Sequence, residues 1–83
     1  MGYVYSAIKH IGLTKLGDRL NYWPSAIQKW RDDDRLPRTE LMGVTNYAEV
    51  IEEMSGGEFK AKKLIEHTRS RWRGKVAEDR RHA

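Results

Sequence analysis

The stretch GLTKLGDRLNYWPSAIQKW, residues 12–30, contains two short helical patterns with a tight turn between them. Leu16 and Leu20 lie four residues apart, so they share one face of a helix. Thr14 precedes them and can cap this helix by accepting a hydrogen bond from a free backbone N–H. The pattern therefore predicts a first helix over residues 14–20.

The turn and the second helix follow from the residues that come next. Asn21 tolerates the left-handed backbone conformation that ends a helix sharply. Pro24 suits the first position of a helix, because its φ is fixed near the helical value and its missing N–H would have no partner there. An apolar side follows at helical spacing and consists of Ala26, Ile27 and Trp30. These features predict a second helix that begins at Pro24 and ends among the aspartates at residues 32–34.

The apolar residues of the remaining chain also recur at helical spacing, and no segment alternates as a strand does. Further helices are expected over residues 4–11, 46–54 and 58–72, with a short helical piece over residues 38–42. Thr45 stands where it can cap the helix at residues 46–54. We therefore predict an all-α fold, a small single-domain helix-turn-helix fold of about five helices.

Composition limits the chemistry that the chain can perform. A chain of 83 residues makes one domain with a modest core, which leaves little room for a deep active site. It has no cysteine, and its histidines lack the spacing of metal ligands. The adjacent carboxylates at residues 32–34 point in different directions and cannot converge on a metal ion. We expect no catalytic residue, metal, cofactor or small-molecule ligand, and we expect that the protein is not an enzyme.

Charge is distributed unevenly along the chain. Residues 1–23 carry three cations and one anion, residues 24–54 four cations and seven anions, and residues 55–83 nine cations and four anions. A basic C-terminal third in a chain of net charge +4 suggests a polyanion as partner. The N-terminus shows no leader pattern, and no apolar stretch approaches the roughly 20 residues of a membrane span. We therefore expect a soluble, cytoplasmic protein.

Residues 12–37 resemble the helix-turn-helix of phage Cro and repressor proteins. The positions that match its core, helix-contact and turn residues are Leu16, Gly17, Leu20, Asn21, Tyr22, Ile27 and Trp30. The family usually has Ala at the position of Gly17, Gly at that of Asn21, and Val or Ile at that of Tyr22, which the motif buries. Each replacement is physically tolerable, because Gly17 still allows close approach and Asn21 can take a positive φ.

The resemblance implies a transcriptional regulator that binds double-stranded DNA, with the helix at residues 24–32 in the major groove. It further implies a homodimer on a pseudo-palindromic operator, in the nucleoid of a bacterial or phage-infected cell. Residues 1–57 would then be the DNA-binding core, with the motif at about residues 13–32. Residues 58–83, a basic C-terminal helix and tail, would complete the core or mediate dimerisation.

Candidate DNA-binding residues follow from the same resemblance. Those near the start of the second helix of the motif are Trp23, Pro24, Ser25, Gln28 and Lys29, to which we add Thr14, Lys15 and Arg31. Gln28 can bind adenine bidentately, Lys29 can donate to guanine or to a phosphate, and Ser25 can serve a base edge or the backbone. The indole N–H of Trp23 and the polar groups of Thr14 and Lys15 are phosphate donors.

Three consecutive aspartates follow the cationic part of the second helix. Residues 32–34 mark its end and, as a hypothesis, repel phosphate and so limit binding in wrong registers. Arg31, Arg35 and Arg38 keep their neighbourhood near neutral.

Two other functions are compatible with the sequence. Residues 26–37 also resemble the recognition region of excisionase and MerR-like DNA-binding factors, in which a β-wing usually follows. The chain could instead be a protein-interaction module or antitoxin whose basic C-terminal helix binds an acidic protein.

Overall fold

The computed structural model describes the backbone of residues 2–82 and the side chains of residues 2–73. Within that range the chain forms six helices and no strand: α1 (Tyr3–Ile11), α2 (Leu13–Leu20), α3 (Pro24–Asp33), α4 (Arg38–Leu41), α5 (Tyr47–Met54) and α6 (Ala61–His82). The predicted all-α fold is confirmed. No helix among residues 2–82 is both long and apolar enough to cross a membrane.

One apolar core holds the helices together. α3 packs against α1 and α2, while α6 lies against α1, α4 and α5. The core side chains are Val4, Ala7, Ile8, Leu16, Ile27, Trp30, Leu36, Ala48, Ile51 and Leu64. The burial of Ile27 and Trp30 confirms the apolar side predicted for α3, on which Ala26 is partly buried. Each fully buried Val, Leu or Ile side chain stabilises the fold by about 1.5–3 kcal/mol.

The link between α1 and α2 consists of one residue, Gly12. Its φ of 99° lets it end α1, where its N–H donates to the Ile8 carbonyl at 2.8 Å, and begin α2 directly afterwards. α2 therefore begins at Leu13, and Thr14 lies inside its first turn. The prediction that Thr14 caps α2 is wrong, because the positive φ of glycine allows a tighter link than a capping threonine would need.

The start of α5 also differs from the prediction. Thr45 does not cap this helix; its hydroxyl donates to the carboxylate of Glu40 instead. That carboxylate is buried and accepts the backbone N–H groups of Tyr47 at 3.0 Å and Ala48 at 2.7 Å. A negative charge at the positive end of a helix is favourable, and a carboxylate accepts more N–H groups than a hydroxyl can.

α6 begins later and ends later than the predicted bounds of residues 58–72. Its first N–H, that of Ala61, donates to the carboxylate of Glu52 at 2.7 Å. It then runs to His82, because the segment after Trp72 is rich in helix-forming Lys, Ala, Glu and Arg. A single glycine within it, Gly74, costs only about 1 kcal/mol relative to alanine.

The buried carboxylate of Glu40 gives a stability prediction. Glu40→Ala should lower the free energy of unfolding by about 1–3 kcal/mol, because it leaves the first N–H groups of α5 without their acceptor. Urea denaturation followed by circular dichroism measures this loss. Glu49→Ala, on an exposed position of the same helix, is the control. Equal effects of the two substitutions would contradict the role of Glu40.

Candidate nucleic-acid interface

α2, the turn at residues 21–23 and α3 form a helix-turn-helix. Asn21 ends α2 in the left-handed conformation, with φ 53° and ψ 50°. The next N–H, that of Tyr22, donates to the carbonyl of Gly17 at 2.9 Å and fixes the direction of the turn. α3 then begins at Pro24 and ends at Asp33. The predicted turn conformation and both bounds of α3 are confirmed.

The two helices of the motif approach closely at Gly17, which is buried. A Cβ on this residue would lie 3.0 Å from the carbonyl oxygen of Tyr22 and 3.5 Å from Cγ of Pro24. It would also lie 3.6 Å from Cδ1 of Ile27. Glycine therefore lets α2 and the start of α3 pack more tightly than alanine would.

Three aromatic rings support α3 on the side away from its exposed face. Trp30 is only 9% exposed and stacks on Tyr47, with ring centroids 4.9 Å apart. Tyr22 packs against Trp30 at 5.4 Å but remains 43% exposed, so the predicted burial of Tyr22 is wrong. Burial, with the nearby Tyr22 and Glu40, raises the pKa of Tyr47.

The candidate residues of α3 lie on its solvent side. Trp23, Pro24, Ser25, Gln28 and Lys29 are all exposed, and Trp23 is exposed to 77%. Ile27 and Trp30 occupy the opposite, buried side of the helix. The structure therefore leaves the start of α3 and one face of its first two turns open to a ligand.

The other candidates differ from one another in their surroundings. Thr14 and Lys15 are exposed in the first turn of α2. Arg31 is partly buried and pairs with the carboxylate of Asp32 at 3.2 Å, so this cation is partly neutralised by its neighbour.

The helix N-termini fall into two groups. The first turns of α1, α5 and α6 each donate a backbone N–H to a carboxylate from elsewhere in the chain, namely Asp34, Glu40 and Glu52. The first turns of α2 and α3 have no side-chain acceptor among residues 2–73. Free N–H groups at the positive end of a helix bind anions. The short helix α4 also lacks a side-chain acceptor at its first turn. In α3 the N–H that remains free is that of Ser25, because Pro24 has none and that of Ala26 donates to the Trp23 carbonyl at 3.0 Å. The N-termini of both motif helices therefore remain available to an anion.

Asp34 has a role that the sequence did not predict. Its carboxylate accepts the N–H of Tyr5 in α1 at 2.8 Å and pairs with His67 of α6, also at 2.8 Å. Its side chain is only 15% exposed, so of the three aspartates proposed to repel phosphate this one is turned into the fold. The aspartate at a helix end could have suggested a left-handed residue, but its partners lie 29 and 33 residues away.

One of the alternative functions, and the question of a metal site, can be compared with this geometry. Residues 38–57, where an excisionase or MerR-like protein usually has a β-wing, contain α4 and α5 and no strand. Within the part of the chain that the structure describes, no group of three His, Asp or Glu side chains could hold a metal ion.

One comparison with known proteins finds a relative. Over 57 residues the chain is 39% identical to the 8.4 kDa cro protein of Escherichia phage HK022. The aligned region covers 69% of this chain and 75% of that protein. No protein-family model and no solved structure matches the chain.

The close approach at Gly17 gives a prediction for the motif. Gly17→Val should lower the free energy of unfolding by about 1–3 kcal/mol, because a branched side chain meets the backbone oxygen of Tyr22. Gly17→Ala should cost less, since the gain in helix propensity of up to about 1 kcal/mol offsets part of the clash. Thermal denaturation of both variants measures the difference. Equal stability of the valine variant and the unsubstituted protein would refute the tight contact.

Proposed function

The chain belongs to the family of phage Cro proteins, and we propose that it regulates transcription by binding double-stranded DNA in a sequence-specific manner. The observation that carries this proposal is the helix-turn-helix of α2 and α3, which leaves the start and one face of α3 exposed. The N-termini of α2 and α3, like that of the short α4, have no side-chain acceptor among residues 2–73, whereas carboxylates cap α1, α5 and α6. A DNA backbone supplies the anions that the free N–H groups and the adjacent Lys15 would bind.

In the proposed complex, α3 lies in the major groove with its first two turns against the base edges. Gln28 presents its amide to N6 and N7 of adenine, and Lys29 donates to guanine or to a phosphate. Ser25 reaches a base edge or the backbone, and Pro24 makes only apolar contact, for example with a thymine methyl group. The exposure of all four side chains supports these roles.

Other candidates would position the helix without reading sequence. Thr14 and Lys15 bind the phosphates at the N-terminus of α2. Trp23, exposed to 77%, donates its indole N–H to a phosphate beside the start of α3. Arg31 also binds a phosphate when that phosphate displaces its partner, the carboxylate of Asp32.

The regulator would act as a homodimer on a pseudo-palindromic operator, with half-sites about one helical turn apart, and would block a promoter by occupying it. A second subunit raises the affinity of a small module, because the second half-site is then bound at a high local concentration. Residues 2–73 expose the large apolar side chains of Met42 and Val44 between α4 and α5, which are available for such a contact. The proposal involves no catalysis and no cofactor.

Substitutions on the two helices should separate base reading from phosphate binding. On the operator obtained by selection from random duplexes, Gln28→Ala should cost about 1–3 kcal/mol and relax the preference at one base pair. Lys15→Ala should weaken binding to all duplexes alike and lower the slope of log affinity against log salt by about 0.9. Fluorescence anisotropy with labelled duplexes, at several salt concentrations, measures both effects.

The control for these variants is Lys63→Ala, which removes an exposed charge from α6. It should leave the operator preference unchanged. If Gln28→Ala retains both affinity and selectivity, α3 does not read bases in the proposed orientation. If the unsubstituted protein binds no duplex, the proposed function is wrong.

The pair between Arg31 and Asp32 predicts a gain of affinity. Asp32→Asn frees the guanidinium for a phosphate and should raise affinity for random duplexes by about two- to fivefold. Glu66→Gln, at an exposed position of α6, removes one carboxylate elsewhere and serves as the matched control. Equal gains in both variants would show that only net charge matters.

A further inference from the structure

Side chains of α6 hold the segment that follows the end of α3. Arg71 donates to the carbonyl of Asp33 at 2.9 Å. The backbone of Leu36 is held on both sides, because its N–H donates to Thr68 at 3.1 Å and its carbonyl accepts the indole N–H of Trp72 at 2.9 Å. Leu36 is itself fully buried. The ring of Trp72 is therefore fixed relative to the end of α3.

Two arginines lie over this fixed ring. The guanidinium carbon of Arg35 is 3.8 Å from the ring centroid of Trp72, and that of Arg38 is 5.4 Å away. Neither forms an ion pair with a carboxylate of residues 2–73, whereas Arg19 and Arg31 do. An arginine stacked on an aromatic ring uses the face of its guanidinium, so its N–H groups can still donate in the plane.

A cleft connects this cluster with the exposed face of α3. It has a volume of about 340 Å³, and its lining includes Lys29, Trp30, Asp33, Arg35 and Trp72. Lys29 belongs to the proposed DNA-binding face, so a DNA strand that passes Lys29 would lie beside Arg35, which shares the ring of Trp72 with Arg38. Asp33 also lines the cleft. The lining therefore includes two cationic residues, Lys29 and Arg35, and one acidic residue.

We propose that Arg35 and Arg38 form a second phosphate-binding site for the DNA backbone and that Trp72 is its positioning residue. This inference rests on the proposed function. Stacking reduces the rotamer freedom of long side chains before DNA arrives, so less entropy is lost when a phosphate binds. The planar N–H groups of the two guanidiniums then bind phosphate oxygens, with bidentate geometry open to each. The C-terminal helix thereby contributes to DNA affinity through a residue that need not touch DNA.

The first test measures the phosphate contacts. Arg35→Gln and Arg38→Gln should each lower the slope of log affinity against log salt by about 0.9 and weaken binding about fivefold near 0.15 M salt. The losses should be the same on the operator and on random duplexes, because phosphates carry no sequence information. Lys63→Gln, the same change of charge at an exposed site of α6, should leave the slope unchanged.

The second test concerns the positioning role of Trp72. Trp72→Leu should weaken binding about two- to fivefold, whereas Trp72→Phe, which keeps a ring face, should restore most of the affinity. In the Trp72→Leu background, Arg35→Gln should have a smaller effect than in the unsubstituted protein, which shows that the two residues are coupled. A purely structural role of Trp72 would lower thermal stability and leave the effect of Arg35→Gln unchanged.

The outcomes separate this inference from the proposed function. If the unsubstituted protein binds duplex DNA and Gln28→Ala loses selectivity, but both arginine variants keep the full salt slope, only the second phosphate site is refuted. If the arginine variants lose affinity but show no coupling to Trp72, the positioning role is refuted. Absence of any duplex binding would overturn both proposals. Because neither Arg35 nor Arg38 belongs to the apolar core, their variants remain informative even if Trp72→Leu fails to fold.

Discussion

The carboxylate of Asp34 connects three helices, and the placement of α3 depends on it. The residue itself ends α3 in the left-handed conformation, with φ 57° and ψ 41°. One of its oxygens caps α1 through the N–H of Tyr5, and the other pairs with His67 of α6. Because one side chain joins the end of α3 to the start of α1 and to α6, these helices cannot shift independently. The exposed face of α3 is therefore held in a fixed orientation.

At three helices, α1, α5 and α6, a carboxylate from outside the helix takes the place of a local cap. Asp34, Glu40 and Glu52 each accept N–H groups from the first turn of another helix. An ionised carboxylate forms stronger hydrogen bonds with these groups than a hydroxyl does, and its charge is favourable at a helix N-terminus. α2 and α3 receive no such cap from residues 2–73. The fold thus combines three helix N-termini that its own carboxylates satisfy with those of α2 and α3, which a DNA phosphate would satisfy in the proposed complex.

The C-terminal helix is part of the same arrangement. Leu64 lies in the core, while Thr68, Arg71 and Trp72 bind the backbone just after α3. α6 is charged and polar over most of its surface. Three of its side chains nevertheless hold the end of α3 and the segment that follows it. In the proposed complex this attachment links the stability of α6 to the geometry of the DNA-binding surface.

Local patterns in the sequence were sufficient for the helices of the motif and for the buried side of α3. Apolar spacing depends on neighbours within one or two turns, and Asn21 and Pro24 act on their own backbone, so these features needed no tertiary information. The cap expected of Thr14 was wrong, because the one-residue link at Gly12 joins α1 to α2 more closely. The cap expected of Thr45 was wrong, because the carboxylate of Glu40 is a stronger acceptor. The exposure of the candidate residues on α3 was also foreseeable, since it follows from the position of Ile27 and Trp30.

The sequence by itself determined an all-helical chain, the helix-turn-helix and the solvent-facing side of α3, because each follows from helical periodicity and backbone preference. Only the tertiary structure decided which carboxylate caps which helix, that Asp34 is held between α1 and α6, and that Trp72 lies beneath Arg35 and Arg38. Glu40 and Glu52 lie 7 to 9 residues from the N–H groups that they accept, whereas the partners of Asp34 and Trp72 stand some 29 to 37 residues away, as between Tyr5 and Asp34 or Arg35 and Trp72. At such separations the packing of whole helices decides which side chains meet, and no local pattern encodes it.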